Sequence, residues 1–164
     1  MRLGVRSPRS DDPCPLGSLD GEGSDVKVHQ EELEVGTRGR GFVDLTSKIA
    51  SIVDASGVTT GLCTLFVQHT SASLVIQENA DSAVRRDMEK WIARIAPEDP
   101  SAYEHDDEGP DDMPAHLRSS ITKTSEVVPV TRGRLALGTW QAIYLWEHRR
   151  TPHTRTIVVH VQGV

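Results

Sequence analysis

The run Leu62 to Gln68, LCTLFVQ, is the most restrictive stretch of the sequence, because it is nearly all apolar and rich in β-favouring side chains. It reads as a strand buried on both faces. Such a strand needs cover above and below, and that cover must be largely aliphatic. The 164 residues include only three Trp, two Tyr and two Phe. The run stops at His69-Thr70-Ser71, and extended structure is expected to resume over Leu74 to Gln77.

The flanking segments supply the rest of an α+β chain. Residues 26–35 alternate roughly and precede Gly36, as an exposed or edge strand does. Ile49, Ile52 and Val53 share one helical face after Thr46, and Gly57 supplies a left-handed stop. The strongest helical signal follows Asn79 or Asp81 as cap. Ala80, Val84, Met88, Trp91, Ile92 and Ile95 recur at spacings of three and four until Pro97 ends the pattern. A second helix is expected from Asp112 or Met113, with Pro114 in its first turn and Met113, Leu117 and Ile121 aligned. Beyond it, strands over 127–130, 134–137, 139–146 and 156–162 are separated by turn signals at Arg132-Gly133, Gly138 and Thr151-Pro152. They read as an antiparallel meander closing the domain. Strands and helices are mixed without regular βαβ alternation, so the expected class is α+β, antiparallel sheets packed with helices, as one domain over residues 26–164.

Residues 1–25 hold eleven Gly, Pro or Ser and few large apolar side chains, and they read as a disordered leader. Neither a signal-peptide core nor a membrane-spanning stretch is present in the sequence. Cys14 and Cys63 form no CxxC spacing, which fits a reducing cytoplasm. A net charge of −6 argues against a sequence-independent grip on nucleic acid.

The chemistry concentrates in the histidines. His29 and His160 sit inside strand patterns and His153 follows a turn proline, settings typical of surface or packed rings. His69 lies where the apolar strand runs out, on a rigid scaffold facing a prospective cleft. His105 belongs to YEHDDEGPDD, in which Glu104, Asp106, Asp107, Glu108, Asp111 and Asp112 self-repel unless solvated or neutralised by a cation. His116 follows on the first turn of the expected helix. Three imidazoles with one open position suit Zn²⁺ and related ions, although the 69, 105, 116 spacing matches no compact zinc motif. Oxyanion recognition is the second reading, using the hydroxyls of Thr70, Ser71 and Ser73, the charges of Lys123 and Arg155, and the helix opened by Asn79. Trp140 and Gln141 in GTWQ have the size and polarity to shape a pocket. A Ser71, His105, Asp107 triad lacks a nucleophile elbow.

Three blocks, QHTSASLVIQENAD (68–81), YEHDDEGPDDMPAH (103–116) and GRLALGTWQAIYLWEHR (133–149), resemble the signature blocks of the YjbQ-like family, whose members are often labelled secondary thiamine-phosphate synthase. The resemblance covers about residue 27 to the C-terminus. It implies a compact α+β homotrimer with sites near subunit boundaries, and a divalent metal, zinc being expected, on His69, His105 and His116. Glu147 and Gln141 would line the same cleft, with His148 ranking below the other three histidines. The implied activity joins an aminopyrimidine pyrophosphate to a thiazole phosphate and releases pyrophosphate, so the expected partner is a small phosphorylated metabolite. Under that reading Thr70, Ser71 and Arg155 contact phosphate and Trp140 with Gln141 shapes a ring pocket. Asp107 and Glu108 are further ligand candidates, through Mg²⁺ or by orienting imidazole. A metal-dependent hydrolase and a non-catalytic metal- or metabolite-binding trimer are the alternatives.

Overall fold

The structure, a computed structural model, describes residues 25–164. The expected leader lies outside the described residues except for Asp25. Among the described residues, eight strands form two antiparallel sheets with an aliphatic core between them, and three α-helices accompany them. The first sheet takes strands β1 (Lys27–Gly36), β3 (Thr60–Val67), β5 (Ser125–Thr131), β6 (Arg134–Leu135) and β8 (Thr154–Gly163), in the order β1-β8-β3-β5-β6. The second takes β2 (Gly41–Asp44), β7 (Gln141–Glu147) and β4 (Ala72–Glu78), with β7 in the middle.

The core follows from side-chain alternation. Val35, Cys63, Leu65, Val67, Val128, Val130, Ile157, Val159 and Val161 point inward from the first sheet and meet Ala72, Leu74, Ile143 and Leu145 of the second. Helix α1 (Thr46–Ser56) adds Ile49, Ile52 and Val53. Its start is fixed by the Asp44 carboxylate accepting the Thr46 N–H at 2.8 Å, and its stop by Gly57 at φ 64°. Arg132 and Gly133, both at positive φ, make the two-residue turn from β5 to β6 expected at that dipeptide. Helices α2 (Ser82–Ile95) and α3 (Asp112–Ile121) follow the expected boundaries closely, and Asp81 caps α2 by accepting the Ala83 N–H at 2.7 Å. No helix among the described residues is long and apolar enough to cross a membrane.

Two expectations need correction, and two further features were not read from the sequence. The strand at Leu62 to Gln68 is buried on one face only, since Cys63, Leu65 and Val67 are buried while Leu62 and Phe66 stay 41% and 47% exposed. Apolar composition alone did not distinguish a covered outer face from one left open. The closing meander is also absent. β7 crosses to the second sheet because it carries apolar side chains on both faces, Ile143 and Leu145 toward the core and Tyr144 and Trp146 away from it. β8, which alternates buried with half-buried residues, inserts between β1 and β3. The short strand β2 was hidden by its glycine-rich approach, and it pairs Phe42 with Trp146 in both register and ring stacking. Finally, of the apolar stripe on α2 only Ile92 is buried, while Trp91 and Ile95 are about half exposed.

Candidate metal centre

The sheet end where β4 begins and β7 ends gathers the titratable groups. Asp112 opens α3 and His116 lies one turn later, so the two side chains share a helix face. His116 Nε2 is 3.4 Å from Asp112 Oδ2. His105, in the loop after the 3-10 turn Pro100–Ala102, places its Nε2 2.8 Å from the same oxygen. One ligand atom from each of the three residues lies within 4.8 Å of the others. Asp112 is buried, His116 half-buried and His105 exposed, so the cluster opens to solvent on one side.

Two supports fix these groups. His116 Nδ1 sits 3.1 Å from the Thr70 carbonyl oxygen, which can only accept, so Nδ1 carries a proton and Nε2 is the nitrogen turned toward Asp112. Metal-binding imidazoles are commonly oriented in this way. The other oxygen of Asp112, Oδ1, accepts from Arg149 Nη1. Arg149 also donates to Asp111 Oδ2 at 3.2 Å and to the Glu108 carbonyl at 2.8 Å, so one guanidinium ties the C-terminal part of the acidic loop together and offsets part of its charge. Burial opposes ionisation of Asp111, but the Arg150 N–H and the Arg149 charge outweigh it and hold that carboxyl below its ordinary range.

Of the three expected histidines, His105 and His116 converge with Asp112 beside them, and His69 is not part of that cluster. The Nδ1 of His69 accepts the Ser71 N–H at 3.0 Å. Burial, and after it the Arg155 charge, lowers the His69 pKa. Glu147 and Arg155, assigned to the cleft and to phosphate contact, are fully buried against each other. Arg155 Nε and Nη2 each donate to Glu147 at 2.7 Å, and the Thr37 hydroxyl and the Arg149 N–H donate as well. Burial would raise the Glu147 pKa, yet these donors, led by Arg155, hold it below the ordinary value. Within one chain the Arg155 guanidinium is therefore committed to Glu147. His148, next in sequence, faces the opposite side, where Nε2 lies 2.9 Å from the Ser73 hydroxyl and burial pushes its pKa down to about 3.

Thr70 is exposed beside the cluster, Ser71 is buried, and Asp107 is exposed on the acidic loop. Asn79, Trp140 and Gln141 lie elsewhere. Ala72 pairs with Glu147 and Glu78 with Gln141, so six residues of strand, roughly 20 Å, separate Gln141 from the histidines. Glu147 and Gln141 therefore do not share a cleft within the chain. Sequence reasoning missed Asp112 and Arg149 as site residues. The i, i+4 spacing of Asp112 and His116 at a helix start was a usable signal, whereas nothing local to Arg149 pointed across 37 residues to Asp112.

A two-sheet α+β domain with a His-Asp-His cluster at one sheet end is the class that fold and site define. Residues 31–164 match the family model described as UPF0047 protein YjbQ-like. The chain is 56% identical over 137 residues to the UPF0047 protein sll1880 of Synechocystis, covering 84% of this chain and 93% of that one. It is 46% identical over 136 residues to the UPF0047 protein YjbQ of Escherichia coli O157:H7, covering 82% and 98%. Among solved structures, a YbjQ-like protein of unknown function from Sulfolobus solfataricus superposes with a TM-score of 0.78 at 30% identity, covering 85% of this chain and all of that one. An uncharacterised YjbQ/UPF0047 protein of Clostridium acetobutylicum gives 0.71 at 33% identity, covering 81% and 98%. The chain belongs to the UPF0047, YjbQ-like family.

Proposed function

We propose that the chain binds one divalent metal ion through His105, Asp112 and His116 and acts there on a small phosphorylated metabolite. Joining an aminopyrimidine pyrophosphate to a thiazole phosphate, with release of pyrophosphate, is the side activity it is expected to support. The observation that carries this reading is the convergence of two imidazole nitrogens and a carboxylate oxygen within 4.8 Å, with His116 turned Nε2 inward by the bond from its Nδ1. Such a donor set suits zinc first and admits manganese, iron, cobalt and nickel, while Mg²⁺ is expected to arrive with a pyrophosphate substrate. A bound ion would supply a Lewis-acid contact for a phosphate oxygen. The chain's own part is to orient: Arg149 holds Asp112, the Thr70 carbonyl holds His116, and Thr70 itself is exposed, leaving its hydroxyl available to an anion.

The roles given to Trp140, Gln141 and Asn79 require the far sheet end of a neighbouring copy, because one chain keeps them a strand's length away. A homotrimer would provide such a neighbour. The open face of the five-stranded sheet, with Val28, Leu62, Phe66 and Val127 between 41% and 64% exposed, supports self-association. The test is to measure bound metal and particle mass on the purified protein, then supply both thiamine precursors to it and to His105→Ala and His116→Ala variants. Metal near one ion per chain, a trimer, and product formation lost in both variants are expected. Equal turnover by all three proteins removes the site, a monomer removes the shared cleft, phosphate release without joining points to a hydrolase, and metal without turnover points to a binding protein.

A further inference from the structure

The peptide unit between Thr70 and Ser71 touches two histidines with its two polar ends. Its carbonyl oxygen lies 3.1 Å from His116 Nδ1, and its N–H donates to His69 Nδ1 at 3.0 Å. A carbonyl can only accept and an N–H can only donate, so the two rings are held in opposite tautomers. His116 keeps its proton on Nδ1 and offers a lone pair at Nε2. His69 gives up its Nδ1 lone pair to Ser71 and keeps its proton on Nε2. The peptide itself is fixed, since Ser71 is 1% exposed and its carbonyl accepts the His148 N–H at 3.3 Å, while the Ser119 hydroxyl donates to the Thr70 carbonyl at 2.5 Å.

An N–H has no lone pair for a metal ion, so His69 could ligate only by breaking the Ser71 bond or losing its second proton. The shared peptide sets the exposed His69 next to His116, while the cluster of converging ligand atoms, His105, Asp112 and His116, does not include it. We infer that His69 is an anion-contacting donor and no ligand: its Nε2–H receives an oxygen of the phosphate or pyrophosphate group that the neighbouring centre holds. The Thr70–Ser71 peptide is the device that sorts one histidine into each role. This inference rests on the proposed metal centre for the anion's position, whereas the tautomers stand without it.

Nitrogen-15 NMR of the imidazoles in metal-free protein reads the tautomers directly, with His69 expected as Nε2–H and His116 as Nδ1–H. Metal titration then separates the roles. His69→Ala should keep the wild-type affinity within about threefold, whereas His116→Ala should lose at least tenfold, the lower range for disturbing even a supporting group. Inorganic pyrophosphate, titrated with and without metal, should bind about tenfold more weakly to His69→Ala, the value of one charge-assisted hydrogen bond, and His69→Gln should recover most of it by presenting an amide N–H. A His69 proton found on Nδ1, metal affinity lost in step with His116→Ala, or pyrophosphate binding indifferent to His69→Ala would each overturn the assignment. If the wild type takes up no metal, the proposed function falls, and the tautomer and the metal-free pyrophosphate titration still decide His69.

Discussion

The two ends of β7 are built from different materials. At the Glu147 end, adjacent residues bury charged and polar groups on opposite faces, with Glu147 locked to Arg155 on the core side and His148 against Ser73 on the other. At the Gln141 end the polar groups are exposed. There Gln141 Oε1 accepts the Gly138 N–H at 2.8 Å, Asn79 Nδ2 donates to the Thr139 carbonyl at 3.2 Å, and the Asn79 N–H donates to the Trp140 carbonyl at 3.1 Å. Trp140 itself is 63% exposed. Water can replace a partner lost at the second end but not at the first, so equal numbers of hydrogen bonds carry unequal weight.

The largest effect should come from Arg155→Leu, which leaves a buried carboxylate without its partner and should cost about 3–5 kcal/mol in urea unfolding. Replacing both members, Glu147→Met with Arg155→Leu, should recover most of that loss, and a double variant as unstable as the single one would break the account of this end. Arg149→Leu should come next, weakening metal binding by roughly 10–100-fold through the misplaced Asp112. Calorimetric titration checks it, and an unchanged affinity would detach Arg149 from the centre. A third measure is the acid slope of the melting temperature. The folded pKa of His148, about 3, lies below its ordinary 6.5, so the unfolded chain takes up the proton first. The stability it contributes is complete above pH 6.5 and declines as pH falls toward 3. Melting between pH 6.5 and 5 should therefore be steeper for the wild type than for His148→Asn. The exposed end should respond least. Asn79→Ala should cost about 1 kcal/mol and Trp140→Ala no more than about 0.5 kcal/mol, with metal affinity unaltered in both. A large loss from Trp140→Ala would show that this end is covered in solution.

Much of the architecture was legible because it rests on local rules. The left-handed stop at Gly57 and the turn at Arg132-Gly133 are written in a few consecutive residues and stand where the sequence placed them, and of the two candidate caps Asn79 and Asp81 the structure uses Asp81. The sheet assignments were not legible, since β7 and β8 differ in which faces they bury, and only the positions of α2 and the second sheet decide that. The site was read in halves. His105 and His116 do converge, and the acidic setting of the loop that carries His105 marked it even though the spacing matched no zinc motif. Asp112 was submerged among five other carboxylates, and the partner that singles it out, Arg149, arrives from another element. His69, expected as a third ligand, is absent from the cluster, and its hydrogen bond, and with it the available nitrogen, depends on backbone geometry that no side-chain pattern records.

The back-to-back arrangement at Glu147 and His148 also governs how β7 can dock. A slip of one residue in its pairing with β4 would exchange the two side chains between faces, setting an anion against Ser73 and an imidazole against Arg155. Hydrophobic residues on both faces would tolerate such a shift, since either side of the strand is greasy. Electrostatics does not, and these two neighbours act as a keyway that admits the strand in a single alignment and so delivers Arg149, the next residue, to the acidic loop.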